Sequence, residues 1–272
     1  MVRKTPSHIE IASIIMAAGR GSRMTGYEGN KTLLPLMPGN SSFEGSHLIL
    51  HHLISNLPDG PKTLIVNHCK NDVMAATGHL DMTYCEQPVL NGTGGALLAA
   101  RSFIEARSCS EFIITMGDVP FVQKESYMGL VRQLGSFDLV ILGFCPDDKK
   151  QYGVLETQGD LVRKITEWKY WKNYPVEQQA NLTICNSGIY AVKKNILEDY
   201  LPVMASRPQI VYKEINGKNT PIEEFFITDL VEYLVHDEKS VGYILTADEN
   251  ETMGIDDLDA LLKAQAIFKA QT

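Results

Sequence analysis

The chain has 272 residues, 44% of them hydrophobic and 21% charged, with a formal net charge of −8. That is the composition of an ordinary globular protein, and its acidic balance argues against a nucleic-acid coat or a membrane-surface protein while leaving room for a small anion held by a few local cations. No window approaches the roughly 18–20 apolar residues of a membrane span, "MVRKTPSHIE" lacks the apolar run of a secretory signal, and Cys69, Cys85, Cys109, Cys145 and Cys185 are scattered without a CxxC pair; the expectation is a cytoplasmic protein with reduced thiols and neither nucleic-acid nor membrane partners.

The predicted elements begin with "IASIIMAA", followed along the chain by "KTLIVNH", "MTYCE", "EFIITM" and "DLVILGF". Short apolar runs of this kind read as strands buried on both faces. Helical patterns lie between them: "SHLILHHLISNL", "GGALLAARSFIEA" and "KESYMGLVRQL". Strand alternating with helix implies right-handed crossovers and an α/β fold, a Rossmann-like doubly wound, mostly parallel sheet. From about Gln151 the texture changes. "YGVLETQGDLVRKITEWK" alternates with period two around a Gly159-Asp160 turn, which predicts a hairpin. "NLTICNSGIYAV" and "VGYILTA" read as further strands, and "DDLDALLKAQAIFKA" as a C-terminal helix.

Ligands of open α/β sheets collect at the carboxyl ends of the strands. Gly19 and Gly21 stand just past the first strand, where missing side chains let backbone N–H groups approach phosphate oxygens, and Arg20, Arg23 and Lys31 follow. A dinucleotide fingerprint would need glycine where Met24 stands, and a Walker A loop would need glycine where Asn30 precedes Lys31. A glycine-rich turn with two surface arginines is the plain alternative. The stretch Met16-Ala17-Ala18-Gly19-Arg20-Gly21-Ser22-Arg23-Met24, then Lys31, resembles the L-A-A-G-x-G-T-R-M…K signature of the sugar-phosphate nucleotidyltransferases. It is most similar to the pyrophosphorylase domain of the bacterial N-acetylglucosamine-1-phosphate uridylyltransferases. The resemblance implies that Met16, Ala17, Ala18, Gly19 and Gly21 line a nucleoside triphosphate, that Arg23 holds its β- and γ-phosphates, and that Lys31 neutralises the α-phosphate. Ser22 replaces threonine and Asn30 replaces proline; neither change removes a charge. Displacing pyrophosphate builds negative charge on a leaving group, which fixed cations stabilise.

"EQPVLNGTGGA" follows the strand "MTYCE" and opens a helix. The amide of Gln87 offers a donor and an acceptor to a base edge, and Gly92 and Thr93 would bring backbone close to it; a helix start capped by Asn or Thr is the alternative. The segment resembles the family's Q-x-x-x-x-G-T-G-H-A, with Gly95 in place of histidine. That favours uracil and leaves guanine, thymine and cytosine open.

"EFIITMGDVPFV" ends a strand in Gly117-Asp118, where a carboxylate meets the ligand crevice. Magnesium takes one or two protein carboxylates plus phosphate oxygens. The segment resembles the family's G-D-V-P; capping of the next helix is the alternative. "ETMGIDDLDALL" is similar to E-x-x-G-V-N, whose last residue binds the metal, and offers Asp256 there. Asp256 could also cap the final helix, with Asp257 and Asp259 near its positive end. On the acceptor side, Gly153 matches Y-G-R without the arginine, Glu167 the sugar-binding glutamate, Asn186 N-T-G-I with Ser187 for threonine, and Glu224 and Thr228 E-Y-Y-I-T-D. Carboxylates and amides discriminate hydroxyl and acetamido positions by bidentate hydrogen bonds. The largest departure is "EWKYWKNYP" where the family reads E-x-K-D-A. Trp168, Tyr170 and Trp171 fit a packing role, in a satellite core or a dimer contact, better than a stacking wall.

The resemblance runs from about Ile11 to Leu258 and implies magnesium-dependent transfer of a nucleotidyl group, from UTP by this reading, to a sugar 1-phosphate, with release of pyrophosphate. It divides a single domain into a nucleotide-binding half (10–150), an acceptor-binding half (151–246) and a metal-ligand loop with the C-terminal helix (247–272). One alternative is transfer to a non-sugar phosphate such as phosphocholine, its ammonium caged by the aromatic cluster. Another is an inactive regulatory copy of the fold, against which the joint retention of Arg23, Lys31 and Asp118 speaks. The histidines show no catalytic pairing, and no G-x-S-x-G or HExxH supports hydrolase chemistry. The hexapeptide repeats of the bifunctional relatives are missing from the sequence, so their acetyltransferase activity is expected to be missing too. Whether a homo-oligomer forms is open.

Overall fold

The computed structural model describes residues 10–215 and 217–271. The first half builds β1 (Ile11–Met16), a hairpin of β2 (Pro35–Ser41) and β3 (Glu44–Leu48), α1 (Ile49–Asn56), β4 (Lys62–Val66), α2 (Lys70–Thr77) and β5 (Thr83–Glu86). It continues through α3 (Gly92–Ala99), α4 (Arg101–Glu105), β6 (Glu111–Met116), α5 (Lys124–Gln133) and β7 (Leu139–Phe144). The second half adds the hairpin β8 (Val154–Gln158) and β9 (Leu161–Thr166), the short helices α6 (Trp168–Trp171) and α7 (Val176–Asn181), β10 (Cys185–Lys193) and α8 (Lys194–Ala205). A second hairpin, β11 (Gln209–Ile215) and β12 (Lys218–Glu224), precedes α9 (Ile227–His236), β13 (Val241–Leu245) and α10 (Leu258–Gln271).

Nine strands form one sheet in the order β5-β4-β1-β6-β10-β7-β13-β9-β8. The strands β5, β4, β1 and β6 pair in parallel. β10 enters antiparallel between β6 and β7, and β13 returns parallel to β7. Both faces are covered. Along β1, Ala12 and Ile14 join one core with α3, α8 and α9, while Ile11 and Ile15 join the other with α1 and α5. Alternate side chains pointing into two cores make the central strands continuously apolar.

The β8–β9 hairpin turns at Gly159-Asp160, with Gln158 opposite Leu161, as its alternation predicts. The first helix starts later than its pattern, at Ile49, because Ser46–Leu48 are taken by β3 pairing with β2. The second helical pattern breaks at Ala100 into α3 and α4. Among the described residues no helix is long and apolar enough to cross a membrane.

This topology places three loops at one rim of the sheet: residues 17–31 after β1, 87–92 after β5 and 117–123 after β6. β10 runs the other way, so its first residues lie at the same rim. The C-terminal segment joins them through its backbone: the Ile255 N–H donates to the Asp118 carbonyl at 2.9 Å. Ile255 is fully buried with Met24, Leu34, Phe121 and Phe268, a third core that ties the loop after β1 to α10.

Candidate active site

Asn30 organises the loop after β1. It is 1% exposed, and both of its amide protons are donated, to the carbonyls of Ala17 (2.8 Å) and His68 (3.0 Å). Its oxygen accepts from the Thr32 N–H (3.0 Å) and the Thr32 hydroxyl (2.8 Å), capping a 3-10 turn over Lys31–Leu33. The amide thus clips the glycine turn, the β4–α2 loop and the Lys31 turn together with four hydrogen bonds. A proline at this position would fix φ but leave those carbonyls unpaired. Gly21 lies against the stem of Lys31, 3.1 Å from where a side-chain carbon would begin.

The Lys31 ammonium emerges between two carboxylates from distant parts of the chain. It pairs with Asp118 and, at 2.8 Å, with Asp256. Arg23 reaches the same Asp256 oxygen at 3.0 Å. Burial works to lower the Lys31 pKa, but Asp118 and Asp256 outweigh it and hold the ammonium above the ordinary lysine value. The two alternatives of helix capping fall away. Asp257, not Asp256, caps α10 by accepting from the Ala260 N–H at 2.9 Å, and α5 begins well after Asp118, with Gln123 at its N-cap.

One ammonium already bridges Asp118 and Asp256, so both oxygens lie within reach of a single cation. Among the described residues no group of three or more His, Cys, Asp or Glu side chains could hold a metal. Two carboxylates within reach of one cation are nevertheless a donor set that suits magnesium when phosphate oxygens complete its shell. Tyr152, packed against the small Trp171 core, has its hydroxyl pushed up by burial first and then by Asp256, with Asp118 adding to the shift.

A cavity of about 680 Å³ opens beside this cluster, lined by Met16, Ala17, Ala18, Gly19, Lys31 and Asp118 on one side and by Gln87, Gly92 and Thr93 on the other. Gly21, Arg23 and Asp256 are not part of its lining; Arg23 and Asp256 join it through the Lys31 cluster. Gln87 is buried, and its amide nitrogen donates to Asn91 Oδ1 and to the Gly92 carbonyl, both at 3.1 Å. Its oxygen is therefore the free end. Gly95, which replaces the family histidine, has a local cause: a side chain there would begin 1.9 Å from Asn91 Oδ1. Asn91 thus occupies the space a histidine would fill and orients Gln87 instead. Gly92 has φ +93°, and a side-chain carbon would fall 2.3 Å from the Phe225 carbonyl.

Glu167 and Thr228 line a second cavity of about 860 Å³ that meets the first at Thr93. Glu167 is pushed up by burial; Lys169 opposes the shift and Asp229 adds to it. Gly153 backs Glu167, with its missing side chain 3.4 Å from Oε2. Asn186 is held beside Gly153 by a 2.8 Å backbone bond, but its side chain turns inward, donating to the Tyr190 hydroxyl at 3.0 Å and accepting from the Gly188 N–H at 3.1 Å. The aromatic cluster divides. Trp171 packs, as expected, in a small core with Phe144, Val154, Leu182 and Cys185, and its indole N–H donates to the Tyr152 carbonyl at 2.8 Å. Trp168 packs against the same small core and also lines the second cavity, as Tyr170 does.

The profile of the MobA-like NTP transferase domain matches residues 13–170, more than half of the sequence and the whole loop-bearing part of the sheet. The chain belongs to this NTP transferase family. Among curated relatives it is 30% identical over 265 residues to the bifunctional protein GlmU of Ruegeria sp. (strain TM1040), covering 95% of this chain and 53% of that one. GlmU of Jannaschia sp. (strain CCS1) is 29% identical over 267 residues, with 96% and 53% covered. The chain thus spans about half the length of the curated relatives it matches. The fold matches a Bacillus anthracis protein assigned as a glucose-1-phosphate thymidylyltransferase, at TM-score 0.66 and 19% identity with 94% of each chain covered. It also matches a nucleotidyl transferase from Methanothermobacter, at TM-score 0.59 and 17% identity with 97% and 99% covered. In open α/β sheets ligands bind at the carboxyl rim of the parallel strands, and that is the rim where this chain gathers Arg23, Lys31, Asp118 and Asp256.

Proposed function

We propose that this NTP transferase moves a nucleotidyl group from a nucleoside triphosphate, UTP by preference, to a sugar 1-phosphate, and that Asp118 and Asp256 hold a magnesium ion for the purpose. The observation that carries the reading is the Lys31 ammonium held between Asp118 and Asp256 with Arg23 alongside, at the wall of the glycine-lined cavity. The two cations and two carboxylates neutralise one another. A magnesium ion bound by the carboxylates would supply charge neutralisation to the triphosphate. Lys31 and Arg23 would then be free to turn to phosphate oxygens. The reaction needs no side-chain nucleophile: the acceptor phosphate attacks, pyrophosphate leaves, and the side chains position both and stabilise the departing charge. Gln87 would accept from a base N–H through its free oxygen. Glu167 and Thr228 would hold the sugar in the second cavity, with Asn186 and Gly153 setting the position of the wall behind Glu167.

The test is a matrix of the four ribonucleoside triphosphates and dTTP against glucose 1-phosphate, N-acetylglucosamine 1-phosphate and phosphocholine, read by pyrophosphate release with magnesium and with EDTA. The expected result is magnesium-dependent release with UTP and a sugar 1-phosphate. Release confined to CTP with phosphocholine would replace the sugar reading, and no release from any pair would overturn nucleotidyl transfer.

A further inference from the structure

The β11–β12 hairpin stands outside the main sheet and bridges the two cavities. Strand alternation puts Gln209 and Lys213 on one face with Ile222 and Glu224, and turns Ile210 and Tyr212 outward, 55% and 67% exposed. Gln209 lines the second cavity, whereas Lys213, Ile222 and Glu224 line the first. The hairpin is fixed to the loop after β5. The Phe225 N–H donates to the Asn91 carbonyl (2.9 Å), the Gly94 N–H to the Phe225 carbonyl (2.8 Å) and the Ile227 N–H to the Thr93 hydroxyl (3.1 Å). A phosphate carried by a molecule seated in the second cavity therefore reaches the first by passing Thr93 and the inner face of this hairpin.

Arg20 lines the first cavity and Lys164 and Lys169 the second, and on the hairpin between them stands Lys213. The Lys213 ammonium pairs with Glu224, whose side chain is 10% exposed while that of Lys213 is 51% exposed. A buried carboxylate needs such a partner, but a lysine ammonium has three protons and can serve a second acceptor while keeping the first. Thr93 adds to the site: its oxygen accepts from Ile227, so its own proton is free to donate.

We propose that Lys213 binds the phosphate of the acceptor at this junction, with Glu224 competing with that phosphate for the ammonium. The inference rests on the second cavity being the acceptor site. A phosphate dianion carries more charge than the carboxylate and draws the ammonium toward the first cavity, delivering the attacking oxygen beside Lys31.

Steady-state kinetics with a saturating triphosphate and varied sugar 1-phosphate test it. Lys213→Met raises the acceptor KM by about tenfold or more, with the triphosphate KM within about twofold, and Lys213→Arg restores most of the loss. Glu224→Gln removes the competing charge and lowers the acceptor KM. A rise in the triphosphate KM instead, an unchanged acceptor KM, or equal rises in both variants would overturn the assignment. Calorimetric titration with glucose 1-phosphate gives a readout independent of turnover. Binding weakened about tenfold in Lys213→Met supports the assignment and equal binding contradicts it. If Lys213→Met does not fold, Lys213→Arg and Glu224→Gln carry the test. A wild type that binds glucose 1-phosphate yet releases no pyrophosphate with any triphosphate would overturn the proposed function and leave the Lys213 site standing.

Discussion

Replacing Asp118 with asparagine lowers pyrophosphate release by about a thousandfold or more while the protein stays folded. The two halves of that expectation have separate causes. The fold contact at this residue is made by the backbone, whose carbonyl accepts from the Ile255 N–H, and asparagine leaves it unchanged. The carboxylate does different work: it pairs with Lys31 and, on the proposed reading, binds the divalent ion. Asparagine has nearly the same shape but no charge, so the ion loses half of its protein carboxylates. The check is pyrophosphate release at saturating substrates alongside a thermal melt. Activity within about tenfold of wild type, in a protein that melts normally, would remove Asp118 from the metal site.

The second large effect is at Asn30. Asn30→Ala is expected to destabilise the fold by about 2–4 kcal/mol and to lower kcat by about tenfold or more. The side chain is buried and serves four partners, so truncation leaves the carbonyls of Ala17 and His68 and the N–H and hydroxyl of Thr32 without it. Leaving buried polar groups unpaired costs more than the net gain of the bonds themselves. The loss of rate follows because the amide links the glycine turn to the turn that carries Lys31, and small displacements of a charge-stabilising group are costly. Urea unfolding and kcat on the same preparation decide the matter. A change below about 1 kcal/mol with unchanged kcat would mean that the loop holds its shape without this clip.

How far the site was legible depends on how local each cause is. The core strands could be read because β1, β4, β6 and β7 are buried on both faces, which leaves continuous apolar runs. The cations after β1 could be read because the glycine turn and Lys31 lie within a few residues of one another. Asp256 could be reached only through the resemblance, since it is 225 residues from its Lys31 partner; its place is fixed by the Ile255–Asp118 backbone bond and by the Asp257 cap, neither of which spacing reveals. The β2–β3 hairpin was missed for a related reason. "PLMPGNS" and "EGSHL" are largely exposed and show no clean alternation, and their hairpin is held by Gln265, whose amide donates to the carbonyls of Pro35 (2.9 Å) and Ser42 (2.8 Å). Tertiary contacts override local preference in such segments. Lys213 was hidden in the same way, in an exposed hairpin with only the alternation of "QIVYKEI" to mark it. For Asn30 a signal was present: an asparagine before "KTL" is a capping residue, though nothing local shows that its amide also reaches Ala17 and His68.

On the proposed reading, two cations and a divalent ion meet on one triphosphate at this rim. The most direct measurement is an anomalous-scattering map of crystals grown with manganese and a non-hydrolysable UTP analogue. The expected result is a single manganese peak bound by Asp118 and Asp256, with Arg23 and Lys31 turned onto the phosphates. A triphosphate bound with manganese away from both carboxylates, or with Lys31 still locked between them, would contradict it.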